Sequence, residues 1–125
     1  IGETLEEAFA EGARALFNLM VDLTQISPHE SIEISCRAEN LETLFVEWLN
    51  ALIVQKDALG MVFSRFEITH LRKAPEGYLL KARAGGEPLD PLRHDSRVDV
   101  KAATYAGLKC EKITEGYQVE CVVDI

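Results

Sequence analysis

The stretch that most limits how this chain can fold is NLETLFVEWLNALIVQKDALG, residues 40–60. Leu41, Leu44, Phe45, Trp48, Leu49 and Leu52 recur at intervals of three and four, so they lie along one side of a helix as a continuous apolar stripe. Asn40 is placed to accept the first free N–H groups, and Gly60 to end the helix in a left-handed cap. Such a stripe has to be covered by other parts of the chain, and Trp48 on it reads as core rather than as a binding aromatic.

The cover comes from two sides. Upstream, TLEEAFAEGARALFNLMVD begins with Thr4 and has Glu7 three residues later, a capping box, and Leu5, Phe9, Ala13, Leu16 and Met20 then recur at helical spacing. Between the helices SIEISCRAE alternates Ile32, Ile34, Cys36 and Ala38 with polar residues, the pattern of a half-buried strand. Downstream, VFSRFEITHL, GYLLKARA, VDVKAATYAGL, KCEKI and YQVECVVDI all read as strands, the last two joined at Glu115-Gly116 by a tight turn. Helices early and hairpins late predict an α+β fold: two amphipathic helices packed on a largely antiparallel sheet that can curl toward a barrel. At 125 residues the chain is expected to form a single domain. The Gly85-Gly86 pair reads as a bulge or turn, and the region GGEPLDPLRHDSR as a polar loop.

Charge and cysteine content narrow the function. Thirteen Lys and Arg stand against 21 Asp and Glu, a formal charge of −8. That balance disfavours direct contact with a phosphate backbone and favours a basic protein or a cation as partner. Three cysteines without a CxxC pair, no signal segment and no membrane-spanning run predict a reduced, cytoplasmic protein without structural zinc. The chain has no P-loop, no HExxH, no nucleophile elbow and no Gly-x-Gly-x-x-Gly. His29, His70 and His94 are too dispersed to suggest a metal site, and each reads as a surface or hydrogen-bonded histidine. An enzyme with its own nucleophile is not expected.

Two places carry candidate chemistry. Strict alternation through VDVKAATY displays Lys101 on the face shared with Asp99, Ala103 and Tyr105, where a cross-strand ion pair is the plainer reading. In the closing VECVVDI, Val119, Cys121, Val123 and Ile125 share one face and Asp124 turns to the other. Oxygen donors at Asp124 and Ile125 suit a hard cation, calcium or magnesium; a frayed, solvated chain end is the plainer reading of these residues alone.

Taken in order, GETLEEAFAEGARALFNLMVD, LETLFVEWLNALI, KARAGGEPLDPLRH, VDVKAATYAGL and the final VVDI resemble the successive blocks of the archease family. The more specific pieces are WLN, DPLRH, VKAATY and the terminal DI. The resemblance implies a non-enzymatic cofactor of a GTP-dependent RtcB-type RNA ligase in tRNA splicing and RNA repair. It would promote guanylylation of the ligase and its repeated turnover, with a bound divalent cation, and would meet RNA only through the ligase. It also implies roles for single positions: Asp124 as a metal-binding aspartate, Ile125 as an oxygen donor beside it, and Lys101 as the functional lysine of the KAxTY block. A second metal aspartate, within a His-Thr-Ala-Asp segment, is expected upstream of Ile1. Ala106 stands where many relatives have a histidine. A metal-dependent hydrolase using Asp124 and a non-catalytic structural or oligomerisation domain are the other readings.

Overall fold

The computed structural model describes residues 4–90, 94, 100–103, 109–113, 116–120 and 123–124. The first helix, α1 (Leu5–Met20), opens at Thr4, whose hydroxyl accepts the Glu7 N–H at 3.1 Å. A short 3-10 turn (Leu23–Gln25) leads into the strand β1 (Glu30–Ala38). Helix α2 (Leu41–Leu59) follows; the Asn40 side chain accepts the Thr43 N–H at 2.8 Å, and Gly60 closes the helix at φ 63°. Both ends form as their residue types dictate, a side-chain acceptor at the start and the residue without a Cβ at the left-handed finish.

Strands β2 (Met61–Ala74) and β3 (Gly77–Pro88) form a long hairpin, and β1 adds to the far side of β3 to give an antiparallel sheet of order β1-β3-β2. Two further antiparallel pairs come from the last part of the chain. The strand β4 (Ala102–Ala103) pairs with the closing strand, β7 (Val123–Asp124), and between them β5 (Lys109–Ile113) pairs with β6 (Gly116–Glu120). Ile113 stands opposite Gly116, as a tight hairpin requires, while Glu115 lies outside the described residues. The large sheet is open among the described residues, with β1 and β2 at its edges, so the expected curl toward a barrel does not close it.

The helices form the middle layer. On one side α1 packs against β2, and α2 against β1, β3 and β2; on the other α1 meets β6, and α2 meets β4 and β5. This explains a departure from the simple stripe: Val46 and Ile53 are buried in addition to Leu44, Phe45, Trp48, Leu49 and Leu52, because a helix covered from two sides buries more than one face. Phe9 and Phe45 meet edge-on at 5.2 Å, Phe17 and Phe63 at 5.5 Å, and Trp48 and Phe66 at 6.3 Å, joining both helices to β2 through offset aromatic contacts. Trp48 is core, as its position predicts, and its indole N–H donates to the Phe9 carbonyl at 3.0 Å.

The glycine pair is not a turn. Gly85 and Gly86 continue β3, and the extra residue lies on the facing strand, where the register shifts between Phe63 and Arg65. A Cβ on Gly86 would collide with the Val62 carbonyl, so this close approach of two backbones requires glycine. Among the described residues no helix is long and apolar enough to cross a membrane.

Candidate functional site

The site begins with an asparagine on a helix. Asn50 lies on α2 between the buried residues Leu49 and Ile53, and its amide reaches the backbone of β4. Its Nδ2 donates to the Ala103 carbonyl at 3.1 Å, and its Oδ1 accepts the Ala103 N–H at 2.7 Å. One side chain thus supplies the donor and acceptor that a neighbouring strand would otherwise supply. A strand of two residues gains a fixed position on α2 that its own pairing with β7 would hardly secure. Asn50→Leu is expected to cost about 2–4 kcal/mol, since two partly buried backbone groups lose their partners together. Denaturant unfolding measures the loss, and faster hydrogen exchange at the Ala103 amide locates it.

The register then sets the candidate positions side by side. Ala102 pairs with Asp124 and Ala103 with Val123, so the residue after Lys101 faces the aspartate of the closing strand. Val100 is fully buried and Lys101 is exposed. Lys101 does not share the facing of Ala103, which is buried: Val100 and Ala103, three apart, both point inward, because the strand starts only at Ala102 and alternation does not extend back through Lys101. Asp124 is placed by its backbone pairing, and Ile125 and Ala106 lie outside the described residues.

A second polar cluster holds the connection between β3 and β4. His94 is completely buried beside Glu87, itself 4% exposed. The Asp90 N–H donates to His94 Nδ1 at 2.9 Å, so that nitrogen carries no proton; the ring is neutral, and Nε2–H donates to Glu87 Oε1 at 3.1 Å. The other carboxylate oxygen of Glu87 accepts the Ser27 N–H. The His94 carbonyl accepts the Asp22 N–H at 2.8 Å, and its N–H donates to the Asp90 carbonyl at 2.8 Å. The segment after α1 is thereby fastened to the His94 backbone and the Glu87 carboxylate, and the end of β3 to the His94 ring. Both ring nitrogens are engaged, which suits a structural role; His29 and His70 are exposed.

The described residues do not assemble a nucleophile. Cys36 is unpaired with sulfur, and burial, followed by the charge of Glu47, pushes its thiol up to about 11, so it stays neutral at physiological pH. Nor is there, among the described residues, any group of three His, Cys, Asp or Glu arranged to hold a metal. A hard cation takes six or more oxygens, and the described residues by themselves do not assemble them.

Sequence reading missed Asn50, Glu87 and His94 as positioning groups. The available signals were an amide within an apolar helix, in WLN, and a histidine in a loop, in PLRH, but neither names its partner.

Comparison with known proteins decides the family. Residues 1–125 match the Archease protein family (MTH1598/TM1083) over the whole chain. The chain belongs to the archease family. It is 41% identical to the protein archease of Pyrococcus abyssi over 99% of this chain and 87% of that protein. It is 38% identical to that of Methanopyrus kandleri over 98% and 87%. Two solved structures share the archease fold of this chain. Methanobacterium thermoautotrophicum protein 1598 superimposes with a TM-score of 0.72 at 22% identity, over 94% of this chain and 85% of that one. An archease from Thermotoga maritima, described as a possible chaperone, gives a TM-score of 0.58 at 20% identity, over 99% and 85%.

Proposed function

We propose that this archease-family protein is a non-catalytic activator of a GTP-dependent RtcB-type RNA ligase, promoting guanylylation of the ligase and its turnover. The observation that carries the reading is the β4–β7 register, in which the neighbour of exposed Lys101 pairs with Asp124. The Lys101 amine is free to meet a nucleotide phosphate on a partner surface. The Asp124 carboxylate would hold a divalent cation, calcium or magnesium, with water, Ile125 and donors outside the described residues completing the shell. Such a cation would supply charge neutralisation to a phosphoryl group. Asn50 keeps β4 in place on α2, so that Lys101 is presented on a rigid support. The name possible chaperone, given to the Thermotoga maritima relative, agrees with action on a partner protein rather than with catalysis by the chain itself.

The test mixes this protein with an RtcB-type ligase, GTP and a divalent cation and follows the ligase-guanylate adduct. Adduct formation is expected to accelerate, and Asp124→Ala to remove at least about tenfold of that acceleration with an unchanged circular dichroism spectrum, as loss of a charged contact of about 1.5–3 kcal/mol dictates. Equal activation by the variant would reject the role of Asp124. Turnover of a phosphoester by this protein alone would replace the proposal with the hydrolase reading.

A further inference from the structure

The net charge of −8 averages over surfaces that differ. The outer face of the β1-β3-β2 sheet, the side away from the helices, carries Arg37, Arg65, Arg72, Lys81, Arg83 and His70, all exposed, against only Glu33 and Glu67. The register arranges these residues in rungs. Glu33, Arg83 and Glu67 stand together across the three strands, two acids to one base, and Arg83 approaches Glu33 at 3.8 Å, so that rung adds no positive charge to the face. The next two rungs are Ser35, Lys81 and His70, then Arg37, Leu79 and Arg72, and neither contains an acid. Arg37, Arg72 and Lys81 make no ion pair among the described residues. A cavity of about 570 Å³ opens beside Ser35, Thr69, His70 and Lys81. Glu39 and Glu76 lie beyond the last rung, at the end of the sheet.

We propose that these two rungs form a docking surface for the sugar-phosphate backbone of a single-stranded polynucleotide. Arg37 and Arg72 stand on the two outer strands of one rung, about 10 Å apart, and Lys81 stands on the central strand one rung along, about 8 Å from each, a spacing that their long side chains can bring to neighbouring phosphates. A protein partner is less well served. Leu79, half-buried, is the sole apolar side chain on the two rungs, and protein interfaces draw most of their affinity from buried aromatic or aliphatic anchors. Phosphate contacts need no such anchor. No Phe, Tyr or Trp stands on these rungs and His70 alone offers a ring to a base, so binding is expected to be largely independent of sequence, and RNA and DNA to bind alike. The surface lies across the helix layer from β4, and the proposal stands apart from the ligase reading: polynucleotide binding is measured without ligase, and guanylylation without RNA.

The experiment is fluorescence anisotropy of a labelled mixed-sequence 20-nucleotide RNA titrated with the full chain. With three phosphate contacts the logarithmic salt slope is about −2, so affinity is expected to fall roughly 16-fold between 50 and 200 mM salt. The exposed-site variant Arg37→Glu/Arg72→Glu/Lys81→Glu, checked for an unchanged melting temperature, is expected to lose binding at least tenfold. Arg37→Gln/Arg72→Gln flattens the slope. Arg14→Glu, on the exposed side of α1, stays within twofold. A matched DNA strand is expected to bind as the RNA does. The proposal is overturned if RNA does not bind up to 100 μM at 50 mM salt, if the triple variant binds equally well, or if polyglutamate binds this face in place of RNA.

Discussion

His94→Leu is expected to destabilise the protein by about 3–5 kcal/mol, the cost of removing one partner from a buried hydrogen-bonded pair. Leucine fills much of the ring volume but offers nothing to Glu87 Oε1 or to the Asp90 N–H, and Glu87, 4% exposed, cannot turn to solvent for compensation. Against a total stability of about 5–15 kcal/mol, this is a large share. Urea unfolding followed by circular dichroism measures it. Two further variants separate the contacts. His94→Asn keeps an acceptor where Nδ1 stood and falls short of Glu87; His94→Gln reaches Glu87 but withdraws the acceptor from Asp90. Both are expected to fall between wild type and leucine. Wild-type stability in all three would remove the network from any account of how this connection is held.

Trp48→Ala is expected to cost about 3–5 kcal/mol through the cavity it leaves, with about 1 kcal/mol more from the lost bond to the Phe9 carbonyl. Trp48 is fully buried and contacts Phe66 edge-on, while its N–H joins α2 to α1, so truncation loosens the two helices and the sheet together. Trp48→Phe retains most of the volume and lacks the donor. It is expected to lose roughly 1–3 kcal/mol, and the difference from alanine isolates the packing contribution. Near-ultraviolet circular dichroism and the unfolding midpoint check both.

The elements written most plainly in the sequence are those whose reasons are local. Thr4, Asn40 and Gly60 lie where the helix ends need an acceptor or a left-handed residue, and the structure uses each for that purpose. The β1 alternation and the late hairpins carry a period that needs no distant partner to read. Where a reason is remote, sequence reading faltered. The Gly85-Gly86 pair reads as a bulge or a turn because glycine permits both; the register shift does fall opposite the pair, and what demands glycine there is the Val62 carbonyl across the sheet. Alternation through VDVKAATY puts Lys101 on the face of Ala103, and the burial of Val100 and Ala103 overrides that pattern. Ile125 and Ala106 lie outside the described residues.

The two helices, their caps, the strand-rich second half and the family are legible in the order of residues alone, because capping, periodicity and block order are properties of neighbouring residues. That Asn50 completes β4, that Glu87 and His94 pair away from solvent, that Ala102 faces Asp124, and that an acidic chain presents a basic sheet face emerge from the folded chain. Each of these depends on which residues the fold brings together, seven positions apart for Glu87 and His94 and more than 20 for the partners of Ala102 and Ala103, or sorts onto one side of a sheet. For buried polar groups the partner sets the energy, and for charges the distance does, so neither follows from composition.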